Sequence, residues 1–201
     1  MKKVVLASGN AGKLKEFGQC LTPVGIELIP QDQFITQEVE ETGLSFVENA
    51  IIKARYAAQM SGMPALADDS GLEVDALGGA PGIYSARYAG SSLTGQYKDA
   101  ANCAQLVKDL APIPSAQRSA RFQCVLVYMR HAKDPTPLIC QASWEGMIVD
   151  SAKGEHGFGY DPIFQVLEKD CRAAQLTPKE KNAISHRGKA LAKLQKALAE
   201  I

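Results

Sequence analysis

Two adjacent aspartates, Asp68 and Asp69, are the residues of this sequence most able to perform chemistry. They follow an apolar run at 64–67 and precede Gly71, so we expect a short buried strand that ends in a turn at the acidic pair. Neighbouring carboxylates repel each other, and Mg²⁺ would relieve that repulsion because hard cations prefer carboxylate oxygens. Side chains alternate along a strand, so the pair can meet at one ion only if the backbone bends, which Gly71 allows. A simple turn without a metal is the alternative.

Glu40 and Glu41 form a second acidic pair, just before a predicted helix that begins near Ser45. The two glutamates could join the same ion, although a solvated helix entry accounts for them equally well. Lys53 lies on that helix and could reach a phosphate, whereas a lone helical lysine is more often a surface charge. The candidate metal ligands are therefore Asp68, Asp69, Glu40 and Glu41.

The segment at 8–13 has the composition of a phosphate-binding turn between a strand and a helix. Helix N-termini present unpaired amides and a partial positive charge, glycines allow close backbone approach, and a lysine adds a point charge. The segment is not a Walker A loop, which needs four residues between its glycines and Ser or Thr after the lysine. An ordinary strand-to-helix turn is an equal alternative. The candidate phosphate ligands are Ser8, Gly9, Asn10, Ala11, Gly12 and Lys13.

The loop at 157–162 places two aromatic side chains and an acid among glycines. Flat rings beside a hydrogen-bonding group suit a nucleobase, while an aromatic plug at the edge of the core is the alternative. A basic stretch at 181–187 lies near the junction of two helical segments and is weak evidence alone. No Ser/His/Asp or Cys/His set has the spacing of a nucleophilic triad. The base-recognition candidates are Phe158, Gly159, Tyr160, Asp161, Lys181, His186 and Arg187.

The elements that must position these residues alternate between strands and helices. We expect strands at 3–7, 64–67, 121–128 and 138–149, helices at 13–21, 45–60 and 190–198, and a further helix that begins at Thr177. The two strands after residue 120 predict an antiparallel hairpin, and the glycine-rich run at 78–82 predicts a loop. The pattern indicates one α/β domain over residues 1–201, with a mixed twisted sheet and flanking helices.

Composition restricts the class of protein further. The 201 residues carry 22 basic and 22 acidic side chains, and this balance argues against a nucleic-acid partner. The apolar run at the N-terminus is too short for a signal-peptide core or a membrane span. Five widely spaced cysteines contain no Cys-x-x-Cys pair, so they favour neither a disulfide framework nor a zinc site. We therefore expect a cytoplasmic protein without a membrane partner.

Six segments occur in a specific order along nearly the whole chain. They read Ser-Gly-Asn-x-x-Lys, Glu-Glu-Thr-Gly-x-Ser-Phe-x-Glu-Asn-Ala, Ala-Asp-Asp-Ser-Gly-Leu, Gly-Gly-x-Pro-Gly-x-Tyr-Ser-Ala-Arg, Phe-Gly-Tyr-Asp-Pro-x-Phe and Glu-Lys-x-x-x-Ser-His-Arg. Together they resemble the inosine/xanthosine triphosphate pyrophosphatase family, and its bacterial members most. The resemblance implies two lobes around a central nucleotide cleft, a Mg²⁺-dependent homodimer, and release of pyrophosphate from deaminated purine nucleoside triphosphates.

The resemblance also implies a role for each matched residue. Asp69 would be the general base and a metal ligand, with Asp68, Glu40 and Glu41 nearby. The triphosphate would meet Ser8, Asn10 and Lys13, and Ser70 would touch the substrate. Phe158 would stack on the base, Gly159, Tyr160 and Asp161 would complete that wall, and Lys181, His186 and Arg187 would read the base edge.

The sequence departs from the family pattern at Leu167, Arg172 and Gln175, so the loop at 167–176 is expected to differ in shape. Three other functions compete with the expected one. A non-catalytic nucleotide sensor would leave the complete acidic set without a purpose. A general nucleotide pyrophosphatase with other substrates is compatible with the same spacing. An interaction module would leave the clustered glycines, acids and bases unexplained.

Overall fold

A computed structural model describes residues 1–90 and 94–200. Its strands are β1 (Lys2–Leu6), β2 (Ile26–Pro30), β3 (Ala65–Val74), β4 (Pro81–Gly82), β5 (Ser119–Met129), β6 (Leu138–Ile148), β7 (Phe164–Val166) and β8 (Cys171–Arg172). Its helices are α1 (Ala11–Leu21), α2 (Phe46–Ser61), α3 (Gly95–Leu110), α4 (Pro178–Ile184) and α5 (His186–Ala199).

The strands form a mixed sheet in the order β2-β1-β3-β5-β6-β7-β8, with β4 paired to β3. β1 runs parallel to β2 and β3, whereas β7 runs antiparallel to β6 and β8. The predicted mixed α/β class is therefore confirmed, and the predicted hairpin strands are neighbours in the sheet. None of the helices in the described ranges is long and apolar enough to cross a lipid bilayer.

The chain divides into two compact units, and β3, β5 and β6 each contribute residues to both. The first unit comprises residues 1–69 and 124–142 together with the C-terminal segment from Lys189. Its core joins the sheet to α1 through Phe17 and to α5 through Leu191 and Leu194. The C-terminal helix, which was predicted at 190–198, therefore packs on the sheet.

The second unit comprises Ser70–Gln123 and Ser143–Gly188. Its core packs Leu106 and Leu110 of α3 with an aromatic group from β5, β6 and β7. The rings of Phe122, Trp144 and Phe164 lie 4.6 to 6.2 Å apart between centroids. This unit carries the loop at 157–162. The expected single domain over 1–201, and a nucleotide cleft within it, stay predictions.

Local capping explains where the helices begin. Asn10 caps α1, Ser45 caps α2, and Thr177 caps α4 with Glu180 in the reciprocal arrangement of a capping box. A capping side-chain oxygen satisfies amides that have no partner in the first helical turn, so these signals are readable from sequence. The predicted start of the helix at Thr177 is therefore confirmed.

The predicted end of the strand at 64–67 was wrong. β3 continues through Asp68, Asp69 and Gly71 to Val74, with no turn at the acidic pair. Leu72 and Val74 are buried in the second core, and that burial favours an extended backbone over an early turn. The run at 78–82 is also not wholly loop, because Pro81 and Gly82 pair with β3 as β4.

Candidate functional site

The turn that follows β1 is organised by Asn10. Its side-chain oxygen accepts hydrogen bonds from the amides of Gly12 at 2.8 Å and Lys13 at 3.1 Å. The hydroxyl of Ser8 accepts from the Asn10 amide at 3.2 Å. The predicted phosphate turn therefore begins a helix as expected, but two of its amides already have a side-chain partner. A bound phosphate would have to take the place of the Asn10 oxygen to reach those amides.

Lys13 and Asp68 form an ion pair beside this turn. Lys13 Nζ lies 2.9 Å from Asp68 Oδ2, and the Asp68 side chain has no exposed surface. The thiol of Cys124, on β5, donates to Asp68 Oδ1 at 3.6 Å. An isolated buried carboxylate is costly, so the lysine compensates the charge of Asp68.

Lys53 and Asp69 form a second ion pair, with Glu41 as a third member. Lys53 Nζ, from α2, lies 2.6 Å from Asp69 Oδ1 and 2.9 Å from Glu41 Oε1, and it donates to the Asp68 carbonyl at 3.0 Å. Burial raises the pKa of Asp69 to about 6; Lys53 opposes this shift, and the negative charges of Glu41 and Asp68 add to it.

The two aspartates do not converge. Because β3 stays extended at this point, their side chains point to opposite faces of the strand, and each meets a lysine from a different helix. The bend that would bring Asp68 and Asp69 to one ion is absent from β3, and their role as joint metal ligands stays a prediction.

The segment before α2 brings Glu41, and not its neighbour, to Lys53. Glu40 is exposed, whereas Glu41 is half-buried against the ammonium. Asn49, fully buried on α2, accepts a hydrogen bond from the Gly43 amide at 2.9 Å. A Cβ atom at Gly43 would lie 2.7 Å from the Asn49 side chain, so this close approach requires glycine. The Asn49–Gly43 contact thus anchors the acidic segment.

A pocket of about 170 Å³ joins these groups, and we call it the lysine pocket. Its walls include Ser8, Gly9, Lys13, Glu41, Lys53 and Asp68. The turn after β1 and the strand β3 therefore line the same pocket.

The lysine pocket has the donor chemistry of a magnesium site but not its geometry. Glu41 and Asp68 in its walls, and Asp69 paired with Lys53, supply hard oxygen atoms, which Mg²⁺ prefers. Lys53 Nζ, however, contacts both Glu41 and Asp69. Across residues 1–90 and 94–200, no three acidic, histidine or cysteine side chains are grouped as metal ligands would be. A metal that bound Glu41 and Asp69 would therefore have to displace the Lys53 ammonium.

Phe158 is the exposed centre of a separate cluster in the second unit. Its side chain is 54% exposed, and Lys181 Nζ and Arg187 Cζ lie 4.9 and 5.4 Å from the ring centroid. Buried Asp161 accepts a hydrogen bond from the Phe158 amide at 2.9 Å and forms an ion pair with Lys181. An exposed aromatic face with two fixed cations suits a flat ring that carries hydrogen-bond acceptors.

Three other predicted base-binding residues take supporting positions. Tyr160 is buried, and its hydroxyl donates to the Ser85 carbonyl at 2.8 Å. The Gly159 amide donates to Asp99 at 2.8 Å. His186 is buried and stacks on Phe122, with 4.8 Å between ring centroids. Ser70, predicted to touch the substrate, is a half-buried residue of β3.

Comparisons with known proteins identify the group to which the chain belongs. The model of the Ham1 family matches residues 4–197. A protein of Shewanella oneidensis described as dITP/XTP pyrophosphatase is 60% identical over 200 residues, which cover 100% of this chain and 95% of that protein. A HAM1 protein from Coxiella burnetii has a solved structure with a TM-score of 0.94 and 50% identity, and the match covers 100% of both chains. The chain belongs to the Ham1 family.

A second solved structure is also similar to this Ham1 chain. It is described as nucleoside-triphosphatase / dITP/XTP pyrophosphatase from Mycobacterium abscessus and is 42% identical, with a TM-score of 0.79. The match covers 96% of this chain and 98% of that one. The family resemblance predicted from the six ordered segments is confirmed.

The Ham1 chain also holds site residues that sequence reasoning missed. Gln31, Glu38 and Tyr56 line the lysine pocket. Asp99 binds the loop at 157–162 from α3 and lines a second pocket of about 490 Å³ beside Phe158. These residues lie outside the ordered motifs, and only their position in the fold brings them to a site.

The loop at 167–176 contains a contact between two of the residues that depart from the family pattern. The side-chain oxygen of Gln175 accepts a hydrogen bond from the Arg172 amide at 2.9 Å. Ala173 and Ala174, between them, are buried. The two unusual residues thus bind each other and close a short turn after β8, while Leu167 is exposed.

Proposed function

We propose that this Ham1 chain hydrolyses non-standard purine nucleoside triphosphates, namely dITP, ITP, XTP and dXTP, to the monophosphate and pyrophosphate. Such an activity removes deaminated bases from the nucleotide pool before polymerases use them. The observation that carries the proposal is the lysine pocket, where Lys13 and Lys53 lie beside the turn after β1 and form ion pairs with three carboxylates. Full-length relatives that are described as dITP/XTP pyrophosphatases support it.

The triphosphate is assigned to the lysine pocket. Lys13 and Lys53 both line it and offer ammonium groups to a polyanion. Ser8 and Asn10 add polar side chains at the start of α1, where the helix dipole favours negative charge. Phosphoryl transfer depends mainly on positioning and charge neutralisation, which this pocket supplies.

Magnesium is the proposed cofactor. Glu41 and Asp69 would hold it through their carboxylates once Lys53 turns to a phosphate, whereas Glu40 is exposed. A bound Mg²⁺ would neutralise charge on the phosphate oxygens and polarise the phosphorus centre.

Asp69 is the proposed general base. Its carboxylate takes a proton from water, and the water oxygen bonds to the α-phosphorus. The bond from that phosphorus to the bridging oxygen then breaks, so pyrophosphate leaves with the bonding pair. Hydrogen bonding by Lys53 keeps the Asp69 carboxylate oriented in the absence of substrate.

The purine is assigned to the exposed face of Phe158. Hypoxanthine and xanthine carry a 6-oxo group that accepts a hydrogen bond, and Arg187 and Lys181 are donors beside the ring. Adenine has a 6-amino donor at that position, which would face a donor and remain unpaired. Mismatches of this kind cost on the order of 10⁴-fold in discrimination. Guanine shares the 6-oxo group, so it must be rejected at its 2-amino group.

A nucleotide panel with magnesium tests the proposal. We expect pyrophosphate from dITP, ITP and XTP, and much slower release from dATP and dGTP. Comparable turnover of dGTP and dITP would refute the selectivity, and tight binding without turnover would indicate a nucleotide sensor. A homodimer and a cytoplasmic location remain predictions, which light scattering and cell fractionation would test.

A further inference from the structure

Asp68 has a different environment from Asp69, although the two are adjacent. Its side chain is completely buried, and its two carboxylate oxygens contact the Lys13 ammonium at 2.9 Å and the Cys124 thiol at 3.6 Å. Asp69 keeps some exposed surface and contacts Lys53. The extended backbone of β3 directs the two side chains to opposite faces of the strand. Two adjacent and identical residues therefore have different environments.

Lys13 is fixed by an ion pair and is still partly exposed. Its side chain is 22% exposed and lines the lysine pocket, while its ammonium is fixed by Asp68. A lysine side chain has high rotamer freedom, and a ligand that must order it loses affinity. An ion pair formed on folding orders the side chain before any ligand arrives.

We propose that Asp68 is a positioning residue, which holds the Lys13 ammonium in the lysine pocket for the triphosphate, and that the Cys124 thiol orients the Asp68 carboxylate. The proposal rests on the assignment of this pocket to the triphosphate. It gives Asp68 a role in place of the metal ligation that the sequence predicted. Asp68 then acts through Lys13 and contributes to phosphate affinity even without a metal.

Binding of inorganic tripolyphosphate in the presence of EDTA measures this role directly. Isothermal titration calorimetry would compare the wild type with Asp68→Asn, Lys13→Met and the double variant. We expect Asp68→Asn to raise the Kd about tenfold, since a charge-assisted contact is lost. In the Lys13→Met background, Asp68→Asn should have no further effect, because its action passes through that lysine.

Cys124 provides a second test that leaves every charge in place. Cys124→Ala removes the donor to Asp68 and should raise the Kd of tripolyphosphate about threefold, since a thiol is a weak donor. Cys124→Ser restores a donor and should recover wild-type affinity. If Asp68→Asn is too unstable to titrate, the two Cys124 variants still test the proposal. The double variant, in which Asp68→Asn and Lys13→Met leave the net charge unchanged, tests it as well.

Asp32→Asn is the matched control, because it removes an exposed carboxylate from the same unit. An equal loss of affinity from Asp68→Asn with and without Lys13 would overturn the proposal. If wild type, Cys124→Ala and Cys124→Ser bind tripolyphosphate with equal affinity, Cys124 does not orient the Asp68 carboxylate. If Lys13→Met binds tripolyphosphate as tightly as wild type, the assignment of the triphosphate to this pocket is itself wrong.

Discussion

At the scale of single residues, environment separates side chains that are identical in sequence. Asp68 is completely enclosed beside Lys13. Asp69 is also buried but keeps a small exposed surface, and burial raises its pKa to about 6. Glu41 reaches Lys53 while Glu40 remains in solvent. Composition and spacing identify the two acidic pairs, but they do not show which residue of each pair contacts Lys53. That depends on the direction of the side chains along the strand and on anchoring by residues such as Asn49.

The role of Asp69 as a base predicts a loss of turnover without a loss of fold. Asp69→Asn should lower kcat for dITP by at least about 10²-fold, since a general base contributes on that order or more. Pyrophosphate release measures the effect, and circular dichroism checks the fold. Asp32→Asn is the control with the same chemical change. Retained activity in Asp69→Asn would remove Asp69 from the role.

The exposed ring of Phe158 predicts a binding effect. Phe158→Ala should raise the KM for dITP about tenfold or more, because stacking of a base on an aromatic side chain contributes about 1–3 kcal/mol. Phe158→Tyr keeps an aromatic face and should retain most affinity. Leu167→Ala, at another exposed apolar residue of the same unit, is the control. An unchanged KM in Phe158→Ala would contradict the assignment of the base.

At the scale of elements, the caps of two helices could be predicted from sequence, and the end of β3 could not. Ser45 and Thr177 satisfy helix amides through local hydrogen bonds, so short motifs carry the information. The strand through Asp69 continues because Leu72 and Val74 enter a core built by residues far along the chain. Such long-range packing leaves no local signal in the sequence.

The link between β5 and β6 predicts a pH-dependent contribution to stability. Buried Asp134 accepts hydrogen bonds from Arg130 at 2.5 Å and from the Thr136 amide at 3.1 Å, and these contacts hold its pKa below the ordinary value. A lowered pKa stabilises the fold fully above the unfolded value of about 4, and the effect declines as the pH falls below it.

Asp134→Asn should therefore lower the free energy of unfolding by about 2 kcal/mol at pH 7, since hydrogen bonds to a charged group are lost. The difference from the wild type should shrink at pH 3. Urea unfolding at both pH values measures it, with Asp150→Asn as a control at an exposed acid that also pairs with an arginine. A difference that stays constant with pH would contradict the charge-based explanation.

At the scale of the whole molecule, three strands belong to both compact units. β3 contributes Leu66 to one core and Leu72 to the other, and β5 contributes Leu126 and Phe122 in the same way. The alternation of strands and helices predicted the fold class, since hydrophobic periodicity is local. The division into units depends on which strand segments pack together, and no linker in the sequence marks it.

Because these strands continue from one core to the other, we expect one cooperative unfolding transition. Far-UV circular dichroism reports on the helices and strands of both units, and fluorescence of Trp144, the single tryptophan, reports on the second. The two signals should give the same midpoint and the same slope in urea. Separate midpoints would show that the units unfold independently and that the single-domain prediction fails.

The position of the water oxygen in the products distinguishes attack at the α-phosphorus from attack at another phosphorus. Hydrolysis of dITP in water enriched in ¹⁸O, followed by mass spectrometry, shows which phosphorus the water attacks. Attack at the α-phosphorus predicts one ¹⁸O atom in dIMP and none in the released pyrophosphate. Label in pyrophosphate, or orthophosphate as the first product, would contradict attack at the α-phosphorus.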